Sequence, residues 1–228
     1  MQDDDRKLLE ATDFFAALGP EVMNRLVRTA FVQTVPKGAV LFLQGDAPEF
    51  VHLILSGRIS LGAESAHGHS TVVEIFHEGQ LFILAAAILR KSYLMTGRAL
   101  TDSRVLMIPA KPFNTLLESD HRLSRVLVDV LATHWRLLVR QIKDLKLRSA
   151  SERLGAYLLM KIDATTGSAS LRLDEELHVI AARLGMTPES LSRTFGNLRA
   201  HGVHSRGRRV TIDDVAKLRA QIGYDDLE

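Results

Sequence analysis

Apolar residues in the first half of the chain come in short runs broken by turn formers. "AVLFLQGD", "VHLILSGRISL", "STVVEIFHEG" and "RVLMIP" each hold about one strand's length, and glycines at 38, 45, 57, 68 and 79 punctuate them. Many short strands with turn glycines predict a small β-barrel or jelly roll, entered through the helical stretch "LLEATDFFAALGPEVMNRLVRTA". The segment "QLFILAAAILRK" interrupts the strands as a short helix. The period then changes. From a cap at Ser119 or Asp120, no proline or glycine occurs until Gly155, and Val128, Leu131, Trp135, Leu138, Ile142 and Leu145 recur three or four residues apart. That heptad seam predicts a rod of roughly 40 Å with a second helix along it, although a helix packed on its own barrel shows a similar face.

The last third reads as helix, helix, tight turn, helix and an arginine-studded hairpin, "HSRGRRVTI", with short strands beside them: the order of a winged helix-turn-helix. The pattern therefore predicts an α+β chain in three parts. Residues 1–118 form a β-roll with N-terminal helices, 119–148 a dimerisation helix, and 149–228 a winged helix-turn-helix. In the motif "ARLGMTPESLSRTF", Ala181 is the small residue at the helix crossing, Gly185 the turn, and Leu191 the apolar plug. Ile180, Leu184 and Met186 surround them. Thr187 caps the second helix and Pro188 opens it, where a missing N–H costs nothing.

Glu189, Ser192 and Arg193 then share one face of that second helix. A helix entering the major groove can place Arg on guanine and Glu on a cytosine amine. Thr187, Ser190, Arg199, Arg206, Arg208 and Arg209 are candidates for the DNA backbone. The plainer account of the same face is a solvated surface with an intrahelical Glu189–Arg193 pair.

Composition narrows the partners. The chain has 228 residues, 46% hydrophobic and 25% charged, with a formal net charge of only +2. From Arg183 to Ile212, however, six arginines stand against one acid, Glu189, which is the charge footprint of a phosphate-binding surface. There is no cysteine, so disulfides, thiol catalysis and cysteine-held iron–sulfur clusters are excluded. No apolar run is long enough to span a bilayer and the N-terminus is acidic, so a cytoplasmic protein without a membrane partner is expected.

Across nearly its whole length the chain resembles the CRP/FNR family of bacterial transcription regulators, through "QGDAPEFVHLILSGRISL", "EGQLF", the long helix and "ESLSR". The resemblance implies a homodimer with a roll of the cyclic-nucleotide-binding type, a palindromic double-stranded DNA target, and RNA polymerase as a partner if it activates. The recognition helix is similar to the FNR branch, whose E-x-x-S-R pattern falls on Glu189, Ser192 and Arg193, implying a TTGAT-like half-site. Thr194 departs from that pattern, which has an aliphatic residue there.

Laid on the family's cyclic-AMP site, the chain keeps Gly79, but Gln80 replaces the turn acid. The other positions of that site fall on Leu84, Leu94 and Met95, and the long-helix positions on Leu138 and Val139. Leucine and methionine cannot hold a phosphodiester, because its charge would be buried unpaired. Cyclic AMP is therefore not expected, although Arg98 lies near. The carbon-monoxide-sensing members' haem histidine falls on Ala85. Two readings stay open. An apolar pocket could admit haem, as in the nitric-oxide-responsive denitrification regulators that "LKLRSASERLGAYLL" also resembles, with His67, His69, His77 or His134 as axial ligand. Alternatively, the roll is filled by its own side chains.

An enzyme is the remote alternative. His67, His69 and Glu74 resemble the first metal motif of cupins, but no second motif follows, so neither a metal site nor a catalytic residue is expected.

Overall fold

The computed structural model of the chain describes residues 3–64 and 70–223. It divides into two compact units, Met1–Trp135 and Arg136–Glu228. The division falls inside the long helix, whereas the sequence boundaries at 118 and 148 follow the helix ends.

In the first unit, α1 (Asp3–Glu10), α2 (Asp13–Leu18) and α3 (Pro20–Val27) precede the strands. These are β1 (Phe31–Val35), β2 (Val40–Phe42), β3 (Phe50–Ser56), β4 (Arg58–Glu64), β5 (Ser70–His77) and β6 (Leu81–Phe82). After α4 (Leu84–Leu89) come β7 (Thr96–Ala99), β8 (Ser103–Pro109) and α5 (Ala110–Ser119). Two antiparallel four-stranded sheets result, ordered β1-β8-β3-β6 and β2-β7-β4-β5. The turn glycines expected at 38, 45, 57 and 79 all take positive φ, and Gly68 lies outside the described residues. At Gly57 (φ 91°) no other residue fits, because a Cβ would lie 2.6 Å from the Asp102 carbonyl.

Strand β3 is buried on both faces. Val51, Leu53 and Leu55 join Phe14, Phe15 and Phe113 in one core. Ile54 joins Phe42, Phe76, Phe82 and Tyr93 in the other. His52 shares the second environment, with ring centroids 5.3 Å from Phe42 and 5.1 Å from Phe82.

The long helix α6 (His121–Leu147) begins where expected. Asp120 Oδ1 accepts from the backbone N–H of Arg122 and of Leu123, each at 3.1 Å, giving the first turn a capping acceptor. Leu123 and Leu127 are buried in the first core, and Leu131 packs partly against it. Of the seam residues, Leu131 is thus claimed by the roll. Val128, Trp135, Leu138, Ile142 and Leu145 are exposed.

The second unit contains α7 (Ala150–Leu159), β9 (Ala169–Arg172), α8 (Leu177–Arg183), α9 (Pro188–Leu198), β10 (Val203–Arg206), β11 (Arg209–Ile212) and α10 (Val215–Gln221). A reciprocal capping box of Ser149 and Glu152 starts α7. The small sheet runs β10-β11-β9, and Leu154, Ile180, Leu191, Phe195, Val210 and Leu218 fill the core beneath it. The architecture matches the expected roll, long helix and winged helix-turn-helix.

One buried polar pair closes this second core. The Tyr157 hydroxyl donates to Glu175 Oε2 at 2.8 Å, and Lys161 Nζ stands 3.8 Å from the other carboxylate oxygen. Burial and the Glu175 charge push the phenol upward, so it stays a donor. Glu175 is only 2% exposed. Tyr157→Phe should therefore destabilise the protein by about 1–3 kcal/mol, the cost of an acceptor left unpaired in the interior. Urea melts of the full chain measure this, and an unchanged midpoint would remove the pair from the stability argument.

Candidate nucleic-acid interface

The turn between α8 and α9 is built by short-range bonds. Gly185 N–H donates to Ala182 O (3.0 Å) and Met186 N–H to Ala181 O (2.8 Å), with Gly185 at φ 64°. A Cβ there would come within 2.9 Å of Leu145 Cδ2, so both conformation and space demand glycine. Ala181 and Leu191 are fully buried in their expected roles. Thr187 Oγ1 accepts from the Ser190 N–H at 3.2 Å and Pro188 opens the helix, which fixes where α9 begins.

Glu189, Ser192 and Arg193 are all exposed on one side of α9. Glu189 keeps its carboxyl below the ordinary carboxylate range through its own backbone N–H first, then the Thr187 hydroxyl and the Arg193 charge. It is therefore ionised at neutral pH, a hydrogen-bond acceptor only. The Arg193 guanidinium donates to Ser190 Oγ at 3.2 Å, one turn back, and reaches Glu189 only through its charge. The unusual Thr194 points inward. It is 4% exposed, and its hydroxyl donates to Ser190 O at 2.7 Å, so the departure from an aliphatic residue leaves no polar atom unsatisfied.

The hairpin arginines are exposed as well. Arg206 and Arg209 face each other across β10 and β11, and Arg209 in turn faces Arg172 across β11 and β9. Three arginines thus form one row on the outer side of the sheet, where like charges directly opposite repel. Arg208, at the tip beside Gly207, donates to Asp174 O at 3.4 Å. Arg199 ends α9 and is exposed.

Two further residues of this unit escaped the sequence. Arg172 joins the row only through strand register. Arg153 donates from Nε to Leu184 O (2.9 Å) and from Nη1 to Arg148 O (2.8 Å), tying the end of the long helix to the helix-turn-helix turn. Neither contact has a local signature.

The expected effector positions do not converge. Leu84 is buried in the first core, Met95 packs partly against the second, and Leu94 is 80% exposed, so the three do not line one pocket. The local reason is backbone. Helix α4 lies between two left-handed residues, Ile83 (φ 62°) and Arg90 (φ 54°), which redirect the chain on either side of it. Gly79 holds its turn, with Gln80 Oε1 accepting from the His77 N–H at 2.8 Å. Arg98 Nη1 donates to Gly38 O at 2.7 Å. Leu138 and Val139 are exposed on α6.

In the second core, Phe42, Phe82 and Tyr93 pack around His52, and Phe76 stacks on Phe82 at 5.5 Å. Burial pushes the His52 imidazole down to about 3, so it is neutral, and its Nδ1 has no hydrogen-bond partner. Of the proposed haem ligands, His134 lies edge-on to Phe76 with its imidazole lowered, by burial first and against the Glu74 charge. His77 ends β5, while His67 and His69 lie outside the described residues. Glu74, the third residue of the cupin-like motif, accepts from the Ile75 N–H at 3.0 Å. Among the described residues, no three His, Asp or Glu side chains cluster to hold a metal, and no helix is long and apolar enough to cross a membrane.

Comparison with known proteins agrees with this division. Residues 32–120 match the family model of the cyclic nucleotide-binding domain, and residues 152–221 that of the Crp-like helix-turn-helix domain. An anaerobic regulatory protein of Pasteurella multocida is 28% identical over 81% of this chain and 69% of its own length. A CRP-like cAMP-activated global transcriptional regulator of Mycobacterium tuberculosis is 19% identical over 93% of this chain and 97% of its own. Among solved structures, a putative cyclic nucleotide binding protein from Ruegeria pomeroyi is 29% identical, covers 99% of this chain and 100% of its own, and has a TM-score of 0.61. A CooA mutant from Carboxydothermus hydrogenoformans, 20% identical over 93% of this chain and 96% of its own, has a TM-score of 0.76 and so shares the fold. With the roll and the helix-turn-helix matched in chain order, the chain belongs to the CRP/FNR family of transcription regulators and carries that family's DNA-binding domain.

Proposed function

We propose that this regulator is a homodimer that reads an inverted repeat of TTGAT-like half-sites through Glu189, Ser192 and Arg193, and that its roll works without a cyclic nucleotide. The observation that carries the DNA reading is the single exposed face of α9. An ionised acceptor, a hydroxyl and a guanidinium stand together there, while Thr194 is turned inward. Thr187 and Ser190 near the helix start, with Arg199, Arg206, Arg208 and Arg209, supply backbone contacts, and the arginine row extends them to Arg172.

Dimerisation rests on the long helix. Val128, Trp135, Leu138, Ile142 and Leu145 are between 41% and 68% exposed, an apolar stripe along one helix that water would otherwise cover. Two-fold symmetry then places half-sites one helical turn apart. RNA polymerase is a partner if the protein activates transcription.

For the roll, the aromatic filling supports the reading in which side chains occupy the interior. Neutral His52 offers no charge to a phosphate, Arg98 is engaged at Gly38, and Leu84, Leu94 and Met95 supply none. The scattered lining speaks equally against haem, so no nitric-oxide step is assigned.

Three outcomes test these statements. Arg193→Ala should remove roughly 1–3 kcal/mol of preference for the TTGAT-like palindrome over a scrambled duplex, read by fluorescence anisotropy. A preserved ratio would place base reading elsewhere. Trp135→Asp sets a charge in the stripe and should shift the protein to monomer in sedimentation, whereas an intact dimer would mean a different interface. Cyclic AMP at 100 times a micromolar dissociation constant would stabilise a binding protein by about 2.7 kcal/mol. The expected result is an unchanged melting temperature, and a rise would restore the nucleotide site.

A further inference from the structure

Helix α9 contains a glycine that nothing within the protein requires. Gly196 lies in the helix interior, outside the left-handed region, and a Cβ built on it would meet nothing within 4 Å. Glycine at such a position weakens a helix relative to alanine, because it leaves more backbone freedom to lose. Its neighbours Gly185 and Gly207 differ, since both take positive φ in turns.

The position of Gly196 is the second observation. It stands seven residues after Glu189, four after Ser192 and three after Arg193, so it continues the exposed stripe by one turn. There it borders a concavity of about 350 Å³ between α9 and the β10–β11 hairpin. Ser192 and Arg199 edge that concavity from the helix, Ser205 and Gly207 from the hairpin, and Phe195 and Leu191 lie within its lining. The Ser192 and Ser205 hydroxyls and the Arg199 guanidinium on its edge are donors that can receive an anion.

We propose that one phosphodiester strand of the target DNA lies in this concavity, and that position 196 is kept without a side chain so that the strand can rest against the helix. This rests on the reading of α9 as the recognition helix. Close approach of a ligand to backbone is the circumstance in which a helix tolerates the loss of propensity that glycine brings. Arg199 and the Ser205 hydroxyl are the donors placed to hold the phosphate, while Gly196 acts on position and makes no bond of its own.

The test is Gly196→Ala and Gly196→Leu in the full chain, with the palindromic duplex and a scrambled duplex titrated between 50 and 200 mM salt. Neither substitution changes charge. Both variants should melt at or above the wild-type temperature, with alanine higher by roughly 2–4 °C. Both should nevertheless bind the palindrome more weakly, by roughly tenfold or more for a lost charged hydrogen bond. The slope of log affinity against log salt should also become shallower by about 0.9, the signature of one phosphate no longer neutralised. Wild-type affinity and slope in both variants would overturn the proposal while leaving the recognition helix standing. So would weaker binding at an unchanged slope, which would mean that no phosphate is displaced. If the wild-type protein shows no preference for the palindrome, the recognition-helix reading fails and this proposal falls with it.

Discussion

Two-sided burial of β3 is the constraint on which the first unit depends. A strand's side chains alternate, so one seven-residue strand with both faces apolar must be covered twice. Val51, Leu53 and Leu55 are met by the N-terminal helices, α5 and the start of α6, while His52 and Ile54 face the roll's own aromatic residues. The helical entry and the first turns of the long helix are thus required by the sheet. The aromatic interior follows from the same alternation, because the face that bears Ile54 also bears His52, whose imidazole is kept neutral by that apolar surround.

The long helix obeys the same logic with a different period. Its early turns spend Leu123, Leu127 and part of Leu131 on the roll, and its apolar residues after that are left in water. A helix that is apolar on two sides along part of its length is only half explained by one chain. The exposed stripe is what the proposed second copy would cover.

Legibility divided along the range of the interactions. The helix-turn-helix was readable because its determinants are local: Gly185, Thr187 and Pro188 act within a few residues, and Ala181 and Leu191 lie one and two turns away. The turn glycines of the roll were readable for the same reason. What escaped depends on distant pairing. Arg172 joins Arg206 and Arg209 only through the register of β9 on β11, and Arg153 finds its carbonyl acceptors five and thirty-one residues away. The expected effector positions are spread by the backbone. Leu84, Leu94 and Met95 were carried over by position from a site of known type, but left-handed residues at Ile83 and Arg90 bound α4 and send its flanks elsewhere. A β-branched residue at positive φ is a conformation that propensity argues against, so no pattern of apolar residues could have announced it.

The DNA-binding unit shows the opposite economy from the roll. In the roll the one buried acid among the described residues, Asp5, is ion-paired with Arg104, and the aromatic core around His52 carries no charge. On the small sheet, three arginines are aligned across adjacent strands, an arrangement that the folded protein alone disfavours. Each arginine could sit one residue along its strand only by turning into the core beside Val210 and Leu171, so the row is confined to the outer face by the sheet's alternation. Repulsion of that kind is screened by salt and cancelled by a polyanion, and the two compete for the same charges. In the proposed DNA complex phosphate would relieve this local conflict, so the row would be frustrated in the free protein and satisfied when bound.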